Sequence, residues 1–158
     1  MKTRRTSGGT IDLETLPGHY IRRLQQIAVA IFLQETKDLG VTPVQYAVLQ
    51  AVRNSPNFDQ RTLAATIGYD TSTTADVIDR LEARALLARN ASPDDRRVRL
   101  LTLTAAGEEL LDAVVPAMRR TQQRILAPLS EHQQGEFMKM LRTLVKANNE
   151  VSRAPGNA

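Results

Sequence analysis

Cysteine is absent from this 158-residue chain, which excludes disulfide frameworks, thiolate metal sites, cysteine nucleophiles and thiol-based redox sensing in one step. Long apolar runs are missing as well, and no stretch approaches the ~18 to 20 apolar residues that cross a bilayer. The first residues, Met1 to Thr10, lack the apolar core of a signal peptide, so a cytoplasmic location is expected, with no membrane partner. Histidine is scarce: His19 and His132 fall on different expected helices. No spacing resembles a zinc site, a P-loop, a dinucleotide fingerprint or a nucleophile elbow, so the expectation is a protein that is not an enzyme, with no metal and no cofactor. Aromatics are few. Tyr20, Tyr46 and Phe58 are expected to pack in the core, the alternative being a wall for a flat ligand.

What the chain does carry is basic charge in particular places. The net charge is +4 and the isoelectric point about 9.8. Lys2, Arg4 and Arg5 crowd the N-terminus, and Arg84, Arg89, Arg96, Arg97 and Arg99 crowd a second region. That second region includes the run Pro93-Asp94-Asp95-Arg96-Arg97-Val98-Arg99, which continues into Leu100-Leu101-Thr102-Leu103-Thr104. The pattern is a turn, a short apolar strand and then a helix, which makes the arginines the tip of a hairpin. Crowded guanidinium groups repel unless an anion neutralises them, and a DNA phosphate backbone would do so. The plainer alternative is a solvated β-turn, since Pro-Asp-Asp is ordinary turn chemistry.

Periodicity divides the chain into helices. Residues 1–11 read as a flexible basic tail, 12–150 as a single domain and 151–158 as a flexible C-terminal tail. From about Leu13 to Lys37, Leu16, Tyr20, Leu24, Ile27 and Ile31 recur at three- and four-residue steps on one helix. Thr42-Pro43-Val44-Gln45 forms a capping box that opens a second helix, running to about Arg53. A third starts near Asp59 and stops at Gly68; a fourth follows Asp70, with Ala75, Ile78, Leu81 and Ala85 expected inward. Leu86 to Arg89 and Val98 to Thr104 are the expected hairpin strands. A helix from Ala105 to Leu126 and another opening at Ser130 complete the chain, the last with an apolar stripe of Phe137, Met140, Leu141, Leu144 and Val145. The expected fold class is mainly α with a small β-hairpin wing. A winged helix-turn-helix core, about 42–104, is flanked by dimerisation helices at 13–38 and 105–149.

Helix, glycine turn, helix is the unit that reads DNA. The fourth helix then supplies the candidate contacts: the hydroxyls of Thr71, Ser72, Thr73 and Thr74, followed by Asp76, Val77, Arg80 and Arg84. Short hydroxyls also cap helices, which competes with base or phosphate contact. Asp76 is repelled by phosphate, so it would accept from a cytosine amino group or pair with Arg80. The wing adds Arg96, Arg97 and Arg99. On the first helix His19, Arg23 and Gln26 share a face, and this row would grip a small carboxylate; the alternatives are a subunit interface or water.

These pieces resemble the multiple-antibiotic-resistance regulator (MarR) family of winged-helix repressors. The resemblance spans roughly Leu16 to Ala147. Asp94-Asp95-Arg96-Arg97 with Leu101-Thr102-Leu103-Thr104-Ala105-Ala106-Gly107 is similar to the family's wing signature. Thr42-Pro43-Val44-Gln45-Tyr46-Ala47-Val48-Leu49, Leu63-Ala64-Ala65-Thr66-Ile67-Gly68 and Val77-Ile78-Asp79-Arg80-Leu81-Glu82 support it. The resemblance implies a homodimer with first and last helices interlocked, the fourth helix in the major groove, Arg96 or Arg97 in the minor groove, and Asp95 salt-bridged to a wing arginine. It also implies a small aromatic effector, for which His19, Arg23, Gln26 and Tyr46 are the candidate residues. Two departures stand out: Asp76 replaces a basic or neutral residue, and Ala85 replaces the usual glycine, tolerable if the backbone there is not left-handed.

The expected function is a ligand-responsive repressor on a palindromic operator of double-stranded DNA. Two alternatives remain: a helical protein-docking module, favoured by the acidic Asp76, Asp79 and Glu82, and a nonspecific architectural DNA binder.

Overall fold

The computed structural model describes residues 11–152 and 154. Lys2, Arg4, Arg5 and the expected flexible tails lie mainly outside the described residues. The described residues open with a single 3-10 turn, Leu13–Thr15, ahead of α1 (Pro17–Glu35). The expected helix from Leu13 is therefore interrupted. Leu16 is extended because proline disfavours helical backbone in the residue before it, while Pro17 itself suits the first helical position.

The helices α2 (Pro43–Asn54), α3 (Gln60–Ile67) and α4 (Thr71–Ala83) start where the caps predict. Thr42 and Gln45 form the reciprocal box, at 3.3 and 3.1 Å. Asp59 and Asp70 accept the amides of Thr62 and Thr73 at 2.8 Å each. Gly68, at φ 69°, ends α3 in the left-handed conformation. Strands β2 (Leu87–Ala91) and β3 (Arg99–Leu103) make the hairpin, with Arg89 opposite Leu101. A third strand, β1 (Phe58–Asp59), pairs antiparallel on the other side of β3. Two residues are too few to show alternation, so the sequence carries no strand signal at Phe58. The long helix α5 (Ala105–Leu126) carries the chain away from the wing, and α6 (Glu131–Asn148) follows, with a last 3-10 turn at Asn149–Val151.

One core lies under the winged unit. Val48, Leu49 and Val52 of α2 meet Leu63 of α3, Ile78 and Leu81 of α4, Leu87 and Leu101 of the sheet and Leu111 of α5. A smaller cluster of Phe32, Val41 and Val114 joins α1 to α5, and Tyr46 touches both clusters. Glu35 ties the same two helices from outside, accepting from Arg120 at 2.7 Å and Arg124 at 2.9 Å.

The junction between α4 and the hairpin is tightly knotted. The amides of Ala85 and Leu86 reach back to the carbonyls of Glu82 and Leu81, the paired bonds of a Schellman ending. That ending needs a left-handed residue, and Ala85 sits there at φ 55°. The condition for tolerating alanine at this position is therefore not met, because its Cβ crowds the following carbonyl. Thr104 locks the knot, donating its hydroxyl to the Ala85 carbonyl at 2.6 Å and accepting the Gly107 amide at 3.0 Å. Gly107 is needed for another reason: a Cβ there would lie 2.1 Å from the Leu86 carbonyl oxygen.

The helix α4 is phased differently from expectation. In α4 the buried stripe is Thr74, Val77, Ile78 and Leu81, steps of three and four, while Ala85 is exposed. In α1 the apolar stripe points outward: Tyr20 is 54% exposed, and Leu16, Leu24 and Ile27 are exposed with it. Tyr20 is therefore no core residue of this chain, whereas Tyr46 and Phe58 pack against the main core. The stripe of α6 is equally open, with Leu144 54% exposed and none of its residues buried.

Candidate nucleic-acid interface

The winged unit divides the expected contacts into three groups. Exposed on α4 are Thr71, Ser72, Asp76 and Arg80, and exposed at the tip of the hairpin are Asp95, Arg96, Arg97 and Arg99. Among the described residues Arg80, Arg96, Arg97 and Arg99 have no ion pair, so the alternative of an Asp76–Arg80 pair is not realised and these guanidinium groups stay available. Positive charge left unneutralised on an exposed wing is what a phosphate backbone requires.

The second group is engaged in capping. Thr73 donates its amide and its hydroxyl to the Asp70 carboxylate, at 2.8 and 2.7 Å. Those bonds hold the Asp70 carboxyl below the ordinary aspartate value, the backbone bond contributing most. Thr71 and Ser72 are then the exposed hydroxyls of the first turn, at the positive end of the α4 dipole.

The third group is removed from the interface. Thr74 is fully buried and donates to the Asp70 carbonyl at 2.8 Å. Val77 is 7% exposed and belongs to the core. Both were expected on the DNA face; Ile78 and Leu81 are buried as expected, and the error comes from taking Ala75 and Ala85, instead of Thr74 and Val77, as the rest of the inward stripe. Arg84 turns away as well, donating to the Gly40 carbonyl at 2.9 Å and so pinning the end of α4 to the turn after α1.

Asp95 shapes the wing tip without pairing to an arginine. Its carboxylate accepts the Arg97 amide at 2.9 Å, and its carbonyl accepts the Val98 amide at 2.9 Å. The implied salt bridge to a wing arginine is absent among the described residues, because the turn places the Arg97 backbone, not its side chain, against the carboxylate.

Arg89 plays a part that sequence reasoning missed. From β2 it spans Asp79 and Glu82 of α4 at 2.5 Å to each, so two of the three acidic residues that favoured a protein-docking helix are neutralised from within. Those carboxylates raise the guanidinium pKa against the opposing effect of burial. Spacings of ten and seven residues across a helix and a strand carry no periodic signal. Tyr69, exposed in the turn between α3 and α4, also lies beside the reading helix; an aromatic between two helix signals is the cue that would have found it.

The ligand candidates are split. Arg23 lines a groove of about 890 Å³ between α1, the end of α5 and α6, together with Tyr20, Ile27, Phe137 and Leu144. His19, half-buried, stacks edge-on against Tyr20 at 5.5 Å. Gln26 accepts from Arg22 at 3.3 Å. Tyr46 faces a different cavity of about 530 Å³ along the α2–α5 seam, near Gln50, Arg53 and Arg119. Burial raises the Tyr46 pKa, partly offset by Arg119. Within one copy of the chain the four residues do not share a site, because α1 and α2 present these side chains to different grooves. Among the described residues no group of acidic and histidine side chains is placed to hold a metal ion, and no helix is long and apolar enough to cross a membrane.

Comparison with known proteins agrees with this architecture. The MarR family profile matches residues 39–98, from the connection before α2 to the tip of the wing. A putative transcriptional regulatory protein for the hcr operon of Thauera aromatica is 34% identical over 135 residues, 85% of this chain and 81% of the relative. The PcaV transcriptional regulator from Streptomyces coelicolor, solved with its natural ligand, is 37% identical over 88% of this chain and 98% of that one, with a TM-score of 0.80. Bordetella bronchiseptica BpsR, whose DNA binding is regulated by 6-hydroxynicotinic acid, is 33% identical over 86% of this chain and 97% of that one, with a TM-score of 0.82. With a winged helix-turn-helix on one side, an unpartnered helical face on the other and relatives that regulate transcription, the chain belongs to the MarR family of DNA-binding transcriptional regulators and is not an enzyme.

Proposed function

We propose that this chain is a ligand-responsive repressor that binds a palindromic operator as a homodimer and releases it when a small aromatic acid binds. The observation that carries the DNA half is the set of unpaired guanidinium groups, Arg80 on α4 and Arg96, Arg97 and Arg99 on the wing. Thr71, Ser72 and Asp76 complete the reading face. Two copies present two such units, and half-sites one helical turn apart, ~10 base pairs, fit that symmetry.

The effector half rests on Arg23. It is a cation without an ion pair among the described residues, on the lining of a largely apolar groove, with the ring of Tyr20 beside it. An aromatic carboxylate matches that combination by charge and shape. His19 and Gln26 extend the polar row on the same helix, and Tyr46 belongs to the reading only through its separate α2–α5 cavity. The relatives PcaV, solved with a natural ligand, and BpsR, governed by 6-hydroxynicotinic acid, support a small effector. Release requires that ligand bind the DNA-incompetent arrangement more tightly than the competent one.

The test is a mobility shift on DNA upstream of the chain's own gene, with unrelated competitor in excess. A discrete complex is expected to weaken on Arg96→Ala or Arg97→Ala, and the slope of log affinity against log salt is expected to fall by about one unit for each phosphate that the variant no longer neutralises. Unchanged affinity and slope in both variants would remove the wing from the mechanism.

A further inference from the structure

We infer that Arg61, in the first turn of α3, is a further DNA contact, and that with Arg99 at the root of the wing it grips the sugar–phosphate strand running between the reading helix and the wing. The inference rests on the DNA complex of the proposed function and adds to it a contact from α3.

Sheet topology brings the two arginines together. Strands β1 and β3 pair antiparallel, with Phe58 opposite Leu101 and Asp59 opposite Leu100. The chain leaving β1 therefore runs beside β3 read backward, toward Arg99 and the wing tip. Because α3 starts at once, at Gln60, its first turn stands at the end of the sheet from which the wing projects, and α3 packs against β3. Cα atoms across an antiparallel pair are ~5 Å apart. Arg61 and Arg99 follow the Asp59–Leu100 pair by two residues and one, so two long side chains reach the same phosphate strand. Arg99 also shares a face of β3 with Leu101, whose partner Arg89 extends to α4, so it lies on the side of the sheet that carries the reading helix.

Both guanidinium groups are free to take an anion. Arg61 and Arg99 are exposed, and among the described residues neither has an ion pair. The acid two residues before Arg61 is committed to the helix cap: the Asp59 carboxylate accepts the Thr62 amide and hydroxyl at 2.8 Å each. Those bonds, the amide's foremost, hold the Asp59 carboxyl below the ordinary aspartate value, and the charge of Arg61 adds to the effect without a direct pair. With α4 in the major groove and the wing in the neighbouring minor groove, one sugar–phosphate strand separates the two and crosses the protein between them. Two unpaired arginines at the root of the wing then meet that strand, where charge-assisted N–H donors bind phosphate oxygens and fix register without reading bases.

The test follows binding by fluorescence anisotropy across a salt series on two labelled duplexes, one from upstream of the chain's own gene and an unrelated one of equal length. A phosphate contact acts on any sequence. Arg61→Gln is therefore expected to weaken both complexes by the same factor, about fivefold at about 0.15 M salt, and to lower the slope of log affinity against log salt by about 0.9 on each. Arg61→Lys keeps the charge and is expected to keep the slope, and Tm is expected to stay unchanged in both variants because the side chain is exposed. On the upstream duplex, ethylation interference is expected to place the phosphate lost with Arg61→Gln on the same strand as the one lost with Arg99→Gln, roughly two nucleotides away or less. Slopes unchanged by Arg61→Gln but lowered by Arg99→Gln overturn the inference and leave the repressor reading standing. Lost phosphates on opposite strands overturn the shared grip. Equal binding of both duplexes by the unaltered protein counts against the operator, while the slopes still decide the role of Arg61; binding to neither duplex removes both readings.

Discussion

At the scale of single residues, the α4–wing junction holds the clearest liability. Ala85 occupies a left-handed position that glycine takes without strain. A left-handed alanine costs ~1–2 kcal/mol, and glycine returns ~0.5–1 kcal/mol of that through the flexibility of the unfolded chain. Ala85→Gly is expected to stabilise the protein by about 0.5–1 kcal/mol and raise Tm by about 1–4 °C, read by thermal unfolding at fixed protein concentration. A lower Tm would mean that the alanine methyl packs more favourably than its exposure suggests. The helix caps give a pH prediction. Asp70 has its folded pKa lowered by the Thr73 amide and hydroxyl, and Asp59 by the Thr62 amide, so the unfolded state binds more protons in acid. Their stabilisation is complete above the ordinary aspartate pKa of ~3.9 and is lost as pH falls through the lower folded values. Asp70→Asn keeps a cap that does not titrate, so the acid limb of stability against pH is expected to flatten below about pH 4, measured by denaturant midpoints. An acid limb unchanged in slope would show that Asp70 titrates alike in both states.

At the scale of elements, α4 and β2 behave as one body because Arg89 bridges them. Arg89→Ala leaves Asp79 and Glu82 as free carboxylates beside the reading face and loosens the wing. Operator affinity is expected to fall about tenfold, with a stability loss of ~1 kcal/mol or less, as for a partly exposed ion pair. Adding Asp79→Asn and Glu82→Gln to that variant is expected to recover part of the affinity, in a titration on the same operator. Equal affinity of Arg89→Ala and the unaltered protein would reduce the bridge to surface decoration. Element ends were largely legible in the sequence because caps are local chemistry: Thr42, Asp70, Thr104 and Ser130 each sit one residue before a helix begins. The facing of α4 was less legible. Thr74 and Val77 look suited to DNA by type, and only packing against α2 and the sheet shows that the stripe runs through them.

At the scale of the whole molecule, the apolar faces of α1 and α6 dominate. Tyr20, Ile27, Met140 and Leu144 stay exposed in one copy, a surface that a stable soluble chain covers with a partner. Leu144→Glu is expected to shift sedimentation toward monomer and to abolish the discrete operator complex with little loss of helix content, since the reading unit has its own core. An intact dimer in that variant would place the interface elsewhere.

The sequence by itself determined what depends on neighbours along the chain. Composition removed thiol chemistry, caps and glycines set the helix ends, and the run from Asp94 to Gly107 located the wing and the helix behind it. The tertiary structure decided what depends on residues far apart. It turned α4 by part of a turn, added β1 to the sheet, gave Arg89 to α4 and Arg84 to Gly40, and put Tyr46 in a different cavity from Arg23. Local hydrogen bonds and backbone preferences are written in adjacent residues, whereas the side a helix buries and the charge a guanidinium meets are fixed only when distant elements compete for the same space.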